Sequence, residues 1–220
     1  IVSQECAEKL KFFGKEIVIE GDIKGTDLIG KFAKTPHTEQ EIPIFEAEFV
    51  ESGMGTGLVM SVPAHAPKDY QALMDLKSKN HELASKIEPI PIISTEGYGN
   101  IPAKDVCERL GVTDQIDLKL EEATEELYLK EFVNGKLNEK CGEFVNEKVE
   151  FGRNKVRDWL KDKNQLESFP TLQNSPIKCR CGAECVVKIL NNQWFLNYGD
   201  EEWKKLARNC LDSMNILPNK

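Results

Sequence analysis

Neither a long apolar run nor an excess of positive charge is found among the 220 residues of the chain. No hydrophobic stretch approaches the roughly 20 residues that a membrane-spanning helix requires, and no signal peptide opens the sequence. The formal net charge is −8, whereas general nucleic-acid-binding proteins are usually basic. The sequence therefore excludes a membrane protein and a general nucleic-acid binder, and any contact with RNA has to be local.

Patterns of nucleophilic catalysis are also missing. No Ser/His/Asp or Cys/His arrangement has a recognisable spacing, so a covalent nucleophile has no support. Of the three histidines, His37 and His81 fall in loop and helix-end contexts that indicate no function. The seven cysteines are an odd number, and Cys107 and Cys210 fall inside predicted helices. This pattern is typical of a reducing compartment, and we expect a cytoplasmic location.

What is present is an ordinary globular composition, 40% hydrophobic and 30% charged. The chain is long enough for one substantial domain, or for one domain with an appendage. Alternating or β-branched apolar patterns predict short strands at residues 16–20, 42–50, 58–62 and 87–94, and residues 28–32 lead into a further short strand. Helical spacing predicts helices at residues 3–10, 67–79, 103–110, 118–133 and 201–214, and a further helix capped by Asn146. The apolar stripe of helix 118–133 comprises Leu120, Ala123, Leu127 and Phe132. Short strands separated by brief helices favour a β-barrel-like core over a doubly wound sheet.

The most informative run is GTGLVMSVPAHAPKDY, residues 55–70. Its apolar strand ends at Pro63, which cannot donate to a ladder, and Pro67 suits the first position of a helix. Asp69 then falls in the first helical turn, where unpaired N–H groups and the macrodipole favour a carboxylate. An ionised carboxylate at such a strand–loop–helix corner can hold a cation such as a free α-ammonium. The alternative is that Asp69 only stabilises the start of its own helix.

This run resembles the signature of the editing domain (CP1) inserted into the class I aminoacyl-tRNA synthetases for leucine, isoleucine and valine. The form SVPAHAPxDY is most similar to leucyl-tRNA synthetases of the archaeal and eukaryotic cytosolic type. Residues 102–135 resemble the helical insertion of those enzymes, and residues 193–198 resemble the strand that returns to the synthetase core. The resemblance implies an α+β, β-barrel-like editing domain with a helical insertion at residues 1–163. Residues 164–220 would be a linker, a cysteine-containing hairpin and a helix returning to the core.

The resemblance also implies a reaction, the hydrolysis of the ester that joins a wrong amino acid to the 3′ end of tRNA(Leu). A positioned water would attack the ester while Asp69 holds the substrate's α-ammonium. The residues assigned to substrate binding are Met60, Ser61, Val62 and Tyr70. His65 is assigned to the catalytic set, where it would orient substrate or help to polarise water; the alternative is that it fixes the two-proline loop. The partners implied are the mischarged 3′ end of tRNA(Leu) and the rest of the synthetase, and no membrane.

The same comparison indicates what the chain does not contain. The ATP-binding signatures of class I synthetases do not occur, so we expect no amino-acid activation, and ATP and Mg²⁺ would belong to the parent enzyme's catalytic domain. The family's threonine-rich segment would precede a stretch resembling residues 1–11, and no threonine cluster occurs here. We therefore expect the chain alone to hydrolyse mischarged tRNA poorly or not at all.

Cys179, Cys181 and Cys185 invite a second interpretation, because thiolates this close together around a glycine can share a zinc ion. They offer at most three ligands, and the fourth could be Cys141 or a residue of the parent enzyme. The alternative is a plain hairpin with small buried cysteines. The editing step itself implies no cofactor. Two other functions stay open, a non-catalytic tRNA-docking module and a zinc-knuckle module of the synthetase.

Overall fold

Helices form most of the regular structure in the computed structural model, which describes residues 1–14, 16–36, 39–168, 170, 172 and 177–215. The helices in these ranges are α1 Gln4–Lys11, α2 Pro67–Ser78, α3 Glu82–Ser85, α4 Pro102–Leu110, α5 Lys119–Asn134, α6 Val149–Asp162 and α7 Glu201–Asp212. The strands are β1 Phe32–Lys34, β2 Glu41–Pro43, β3 Ile93–Ser94 and β4 Lys136–Leu137. Two short 3₁₀ helices cover Gly25–Asp27 and Glu139–Phe144.

The chain divides into two compact units, Ile1–Val187 and Lys188–Lys220. The sequence-based boundary after residue 163 stays a prediction. His37 and residues 169, 171 and 173–176 of the predicted linker lie outside the described residues. No helix in the described ranges is both long enough and apolar enough to cross a membrane.

Local capping chemistry explains where the helices begin and end. The Ser3 hydroxyl accepts the Cys6 N–H at 3.0 Å and caps α1. Pro67 and Pro102 lie in the first turns of α2 and α4, where a missing N–H costs nothing. Gly111 ends α4 with φ of +63°, a left-handed conformation that glycine adopts without strain. The helices predicted at residues 3–10, 67–79 and 103–110 are confirmed.

The prediction for α6 is confirmed as a helix but wrong in its cap. The residue before α6 is Lys148, and Asn146 lies two positions earlier with φ of +66°. Gly152 in the first turns of α6 packs against Leu137, since a Cβ on this glycine would lie only 2.6 Å from Leu137 Cδ1. In the second unit, α7 begins as predicted, capped by Asp200, whose carboxylate accepts the Trp203 N–H at 2.7 Å.

In the part of the chain that the structure describes, the strands are shorter and fewer than the sequence predicts. β1 pairs antiparallel with β2, and β3 pairs antiparallel with β4 through Ile93 opposite Leu137. The strands predicted at residues 16–20 and 58–62 are wrong, and those at 42–50 and 87–94 shrink to β2 and β3. Residues 28–32 lead into a short strand as predicted, since β1 begins at Phe32. A β-branched apolar run needs a neighbouring strand to complete its ladder. Residues 58–62 pair with no strand among the described residues, and Leu58, Val59 and Met60 are 41%, 55% and 62% exposed.

The main core lies between α2, α4 and α5. Its buried side chains are Tyr70, Ala103, Val106, Cys107, Leu120, Ala123 and Leu127. Burial of Leu120 and Leu127 stabilises the fold by roughly 1.5–3 kcal/mol each. The predicted stripe of α5 is therefore confirmed at Leu120, Ala123 and Leu127, but Phe132 is 39% exposed. This core fixes the first turn of α2, where Asp69 lies.

Candidate active site

The corner at residues 62–69 is held together by one carboxylate. After Val62 the chain turns, with the N–H groups of His65 and Ala66 both donating to the Val62 carbonyl oxygen, at 2.9 and 3.0 Å. Helix α2 starts at Pro67, and Asp69 in its first turn accepts the Val62 N–H on Oδ2 at 2.6 Å. The side chain of Asp69 thus reaches back across the corner to the residue where the turn begins.

The Asp69 carboxylate is buried without a cation. It is 7% exposed, and it forms no ion pair with any residue that the structure describes. Burial raises the pKa of Asp69, and the hydrogen bonds from the Val62 N–H and the Ser61 hydroxyl lower it less than burial raises it. A carboxylate in this state would gain from a cationic ligand, because the ligand would supply the missing opposite charge.

His65 is buried behind the corner, with both ring nitrogens in use. Nε2 accepts the N–H of Ile92 at 2.8 Å and that of Ile93 at 3.2 Å, so the hydrogen of the neutral ring lies on Nδ1. Nδ1 then donates to Glu131 Oε1 at 2.6 Å. His65 is 5% exposed. This arrangement favours the interpretation in which His65 fixes the two-proline loop, since neither nitrogen is left to act on a substrate or a water.

The other predicted substrate-binding residues separate into two groups. Ser61 and Val62 contact Asp69, and Met60 precedes them on an exposed stretch of chain. Tyr70 lies in the main core among side chains of α4 and α5. Burial, with the nearby Glu108, raises the pKa of the Tyr70 phenol. The structure therefore brings Ser61, Val62 and Asp69 together, and it places Tyr70 on the core side of α2.

Two residues of this region were missed by reasoning from the sequence. Glu131 of α5 is only 4% exposed and holds His65. The second is Tyr128, because burial and the carboxylates of Asp69 and Glu131 raise the pKa of its phenol. A signal for Glu131 did exist, because it continues the apolar stripe of α5 four residues after Leu127. An acid in a buried stripe needs a hydrogen-bond donor or a cation beside it.

The three clustered cysteines lie on a hairpin turn. Lys178 pairs with Glu184, and the Cys179 N–H donates to the Ala183 carbonyl oxygen at 2.8 Å. Cys179 and Cys181 are exposed thiols. Within the ranges that the structure describes, no group of three or more His, Cys, Asp or Glu side chains is arranged to hold a metal ion. A zinc site at these cysteines stays a prediction.

Comparison with known proteins gives the same family from sequence and from structure. A family model described as "Leucyl-tRNA synthetase, editing domain" matches residues 15–89, which include the corner. The leucine–tRNA ligase of Methanococcus maripaludis strain C7 is 47% identical over 99% of this chain and 22% of its own length. That of Methanocaldococcus jannaschii is 44% identical over 99% of this chain and 23% of its own length.

Solved editing domains share the fold. A crystal structure titled GlLeuRS-CP1 superposes with a TM-score of 0.67 at 27% identity, covering 79% of this chain and 70% of its own. The editing domain of the P. knowlesi cytosolic leucyl-tRNA synthetase superposes with a TM-score of 0.64 at 19% identity, and the match covers 74% of this chain and 62% of that one. The expected α+β editing-domain fold is confirmed by this likeness. The chain, which spans about a fifth of the length of its curated relatives, belongs to the leucyl-tRNA synthetase editing-domain family.

Proposed function

We propose that the chain supplies the hydrolytic editing site of a leucyl-tRNA synthetase. The substrate is tRNA(Leu) whose 3′-terminal adenosine carries a wrong amino acid in ester linkage. The observation that carries the proposal is the buried Asp69 carboxylate, which is 7% exposed and lacks a cationic partner among the described residues. The α-ammonium of an esterified amino acid is a cation of the right size and charge for such a group.

The surroundings of Asp69 support binding rather than helix stabilisation alone. A first-turn acid that only stabilises its helix gains about 0.3–1 kcal/mol and is normally at the surface. Asp69 is instead buried, and burial raises its pKa, so the protein retains an energetically costly group at this corner. Perturbed carboxylates in such positions are typical of functional sites.

The reaction requires little of the protein beyond positioning the ester and the attacking water. The water oxygen adds to the ester carbonyl carbon, the bond to the ribose oxygen breaks, and that oxygen leaves with a proton as the free 3′-terminal hydroxyl. Ammonium binding by Asp69 would fix the carbonyl carbon relative to the attacking water. Met60 and Val62 would lie beside the amino-acid side chain. His65, with Glu131, would keep the corner rigid, and no metal is needed for this step.

Editing of this kind meets a physical limit on recognition. One methylene group changes binding in an apolar pocket by only about 1–3 kcal/mol, so a synthetase that must reject close analogues of leucine needs a second site.

All seven cysteines are free thiols in the structure, which fits a reducing compartment. We place the protein in the cytoplasm on that ground.

The test is deacylation of norvalyl- and isoleucyl-tRNA(Leu). The assay uses the chain itself and the Methanococcus maripaludis synthetase with its matching segment replaced by this chain. Asp69→Asn should lower deacylation by the chimera at least tenfold while leaving leucylation intact. The matched control is Asp105→Asn, because Asp105 is also a first-turn acid after a helix-starting proline and accepts the Gly99 N–H at 2.6 Å.

The outcomes separate editing from its rivals. Equal deacylation by Asp69→Asn and Asp105→Asn would show that Asp69 acts only on its helix. Weaker tRNA binding without loss of amino-acid discrimination would favour a docking module. Rapid deacylation by the chain alone would contradict the expectation that it needs a threonine-rich segment.

A further inference from the structure

Helix α6 carries an exposed row of three cations on a chain whose net charge is −8. Arg153, Arg157 and Lys161 recur every four residues, so they lie along one side of the helix, about 6 Å apart along its axis. All three are exposed. None of them forms an ion pair with any residue in the described part of the chain. We call Arg153, Arg157 and Lys161 the α6 row.

Several cations on α4 and α5 pair with glutamates of the same unit. Arg109 of α4 and Lys130 of α5 both pair with Glu126, the lysine at 3.0 Å. Lys104 lies 3.7 Å from Glu108 on the next turn of α4. These charges are balanced within the unit, whereas the cations of the α6 row are exposed and form no ion pair among the described residues.

The helix that packs against α6 has the opposite balance of charge. Residues 148–163 contain six basic and three acidic side chains, whereas α5, which packs against α6, contains five glutamates and two lysines. A polyanion would be repelled by the exposed acids of α5 and attracted to the α6 row, so the charge pattern sets an orientation as well as an affinity.

Continuous packing connects the row to the Asp69 corner. Gly152 of α6 contacts Leu137 of β4, and Leu137 lies opposite Ile93 of β3. The Ile93 N–H in turn donates to His65 inside the corner. A ligand held by the α6 row is therefore held on the same packed unit as Asp69.

We propose that the α6 row binds the phosphodiester backbone of the RNA whose 3′ end enters the Asp69 corner. The identity of that RNA as tRNA(Leu) rests on the proposed function. Guanidinium groups bind phosphate oxygens in pairs of hydrogen bonds, and two of the three cations are arginines. Phosphate contacts of this kind position an RNA without reading its bases, so a local row of cations can orient an RNA on a protein that is acidic as a whole.

The experiment measures binding of uncharged tRNA(Leu) transcript to the 220-residue chain between 50 and 200 mM KCl. Removal of one phosphate-binding cation reduces the slope of log K against log salt by about 0.7–0.9, so Arg153→Gln/Arg157→Gln/Lys161→Gln should reduce it by about 2–3. Glutamine keeps helix propensity, and circular dichroism checks the fold. The matched control is Lys24→Gln/Lys31→Gln/Lys34→Gln, which removes the same charge from exposed lysines that form no such row.

The expected result is a reduced slope for the row variant and an unchanged slope for the control. Equal slopes for the row variant and the wild type, or the same reduction in both variants, would overturn the proposal. So would binding of poly-glutamate to the row without binding of RNA, since the partner would then be an acidic protein. The uncharged transcript carries no amino acid and so no α-ammonium for Asp69 to bind, and a failed editing proposal would therefore be seen in deacylation and not here.

Discussion

Asp69 and Glu131 are both buried acids, and their surroundings give them different roles. Glu131 lies 2.6 Å from His65, so its charge is met inside the protein by a hydrogen-bond donor. Among the described residues, Asp69 accepts hydrogen bonds from the Val62 N–H and the Ser61 hydroxyl but forms no ion pair, and burial raises its pKa. Glu131 therefore stabilises the corner through His65, whereas Asp69 is a buried carboxylate whose charge a bound cation would balance.

The raised pKa of Asp69 predicts a pH effect on stability. An acid whose pKa is higher in the folded state favours folding while protonated, and this contribution is lost as pH rises from about 3.9 through the folded pKa. The free energy of unfolding of Asp69→Asn should therefore rise relative to that of the wild type between pH 4 and pH 7. At pH 7 the Tm of the variant should equal or exceed that of the wild type. Thermal melts at both pH values measure this. A variant that melts well below the wild type at pH 7 would contradict it.

Substitutions of Glu131 should lower the free energy of unfolding by amounts that depend on the new side chain. Glu131→Ala leaves the buried Nδ1–H of His65 without an acceptor and should cost about 1–3 kcal/mol of the free energy of unfolding. Glu131→Gln keeps an amide oxygen for that hydrogen and should cost far less. Urea unfolding of both variants measures the difference, with Glu125→Gln as the control because Glu125 is exposed on the same helix. Equal losses for Ala and Gln would show that the hydrogen bond to His65 is unimportant.

At the scale of elements, local signals predicted helices well and strands poorly. The Ser3 cap, Pro67, Pro102 and Gly111 are contained within a few residues, so the sequence alone locates the helix ends. A strand needs a partner distant in the chain, and the apolar run at residues 58–62 has none among the described residues. The corner was predicted because its residues are adjacent, whereas Glu131 was missed because it lies 66 residues from His65.

The junction of α5 and β4 predicts a sensitive glycine. A Cβ on Gly135 would meet the Glu131 carbonyl oxygen and would lie 2.7 Å from Ile93 Cγ2. Gly135→Ala should therefore cost about 1–3 kcal/mol, because the helix end and β3 have to move apart. Gly21→Ala is the control, since nothing lies within 4 Å of a Cβ there. Urea unfolding that shows similar stability for both variants would mean that α5 and β3 can separate at little cost.

At the scale of the whole molecule, surface character differs between the two units. In Ile1–Val187 the large apolar side chains of α2, α4 and α5 form a core. In Lys188–Lys220, Trp194, Phe195 and Leu196 are 95%, 89% and 75% exposed. Contiguous apolar groups exposed to this degree are typical of interaction surfaces or of aggregation.

The exposed aromatic segment predicts self-association of the isolated chain. Trp194→Ser/Phe195→Ser/Leu196→Ser should lower its tendency to associate, because apolar surface that gains from burial is removed. Sedimentation velocity at increasing protein concentration measures this. The melting temperature of the main unit serves as the check that the fold is intact. Association that is unchanged in the variant would assign it to another surface.

The bond between His65 and Glu131 has a consequence for sequence variation in related chains. Each residue is buried, and each satisfies a group that the other would leave unmet. A lineage that replaces Glu131, or loses the helix that carries it, has to accept a looser corner or change His65 as well. The two positions are therefore expected to covary across relatives, and the corner at residues 62–69 is expected to have evolved together with α5, a helix that contains none of the residues predicted to bind substrate.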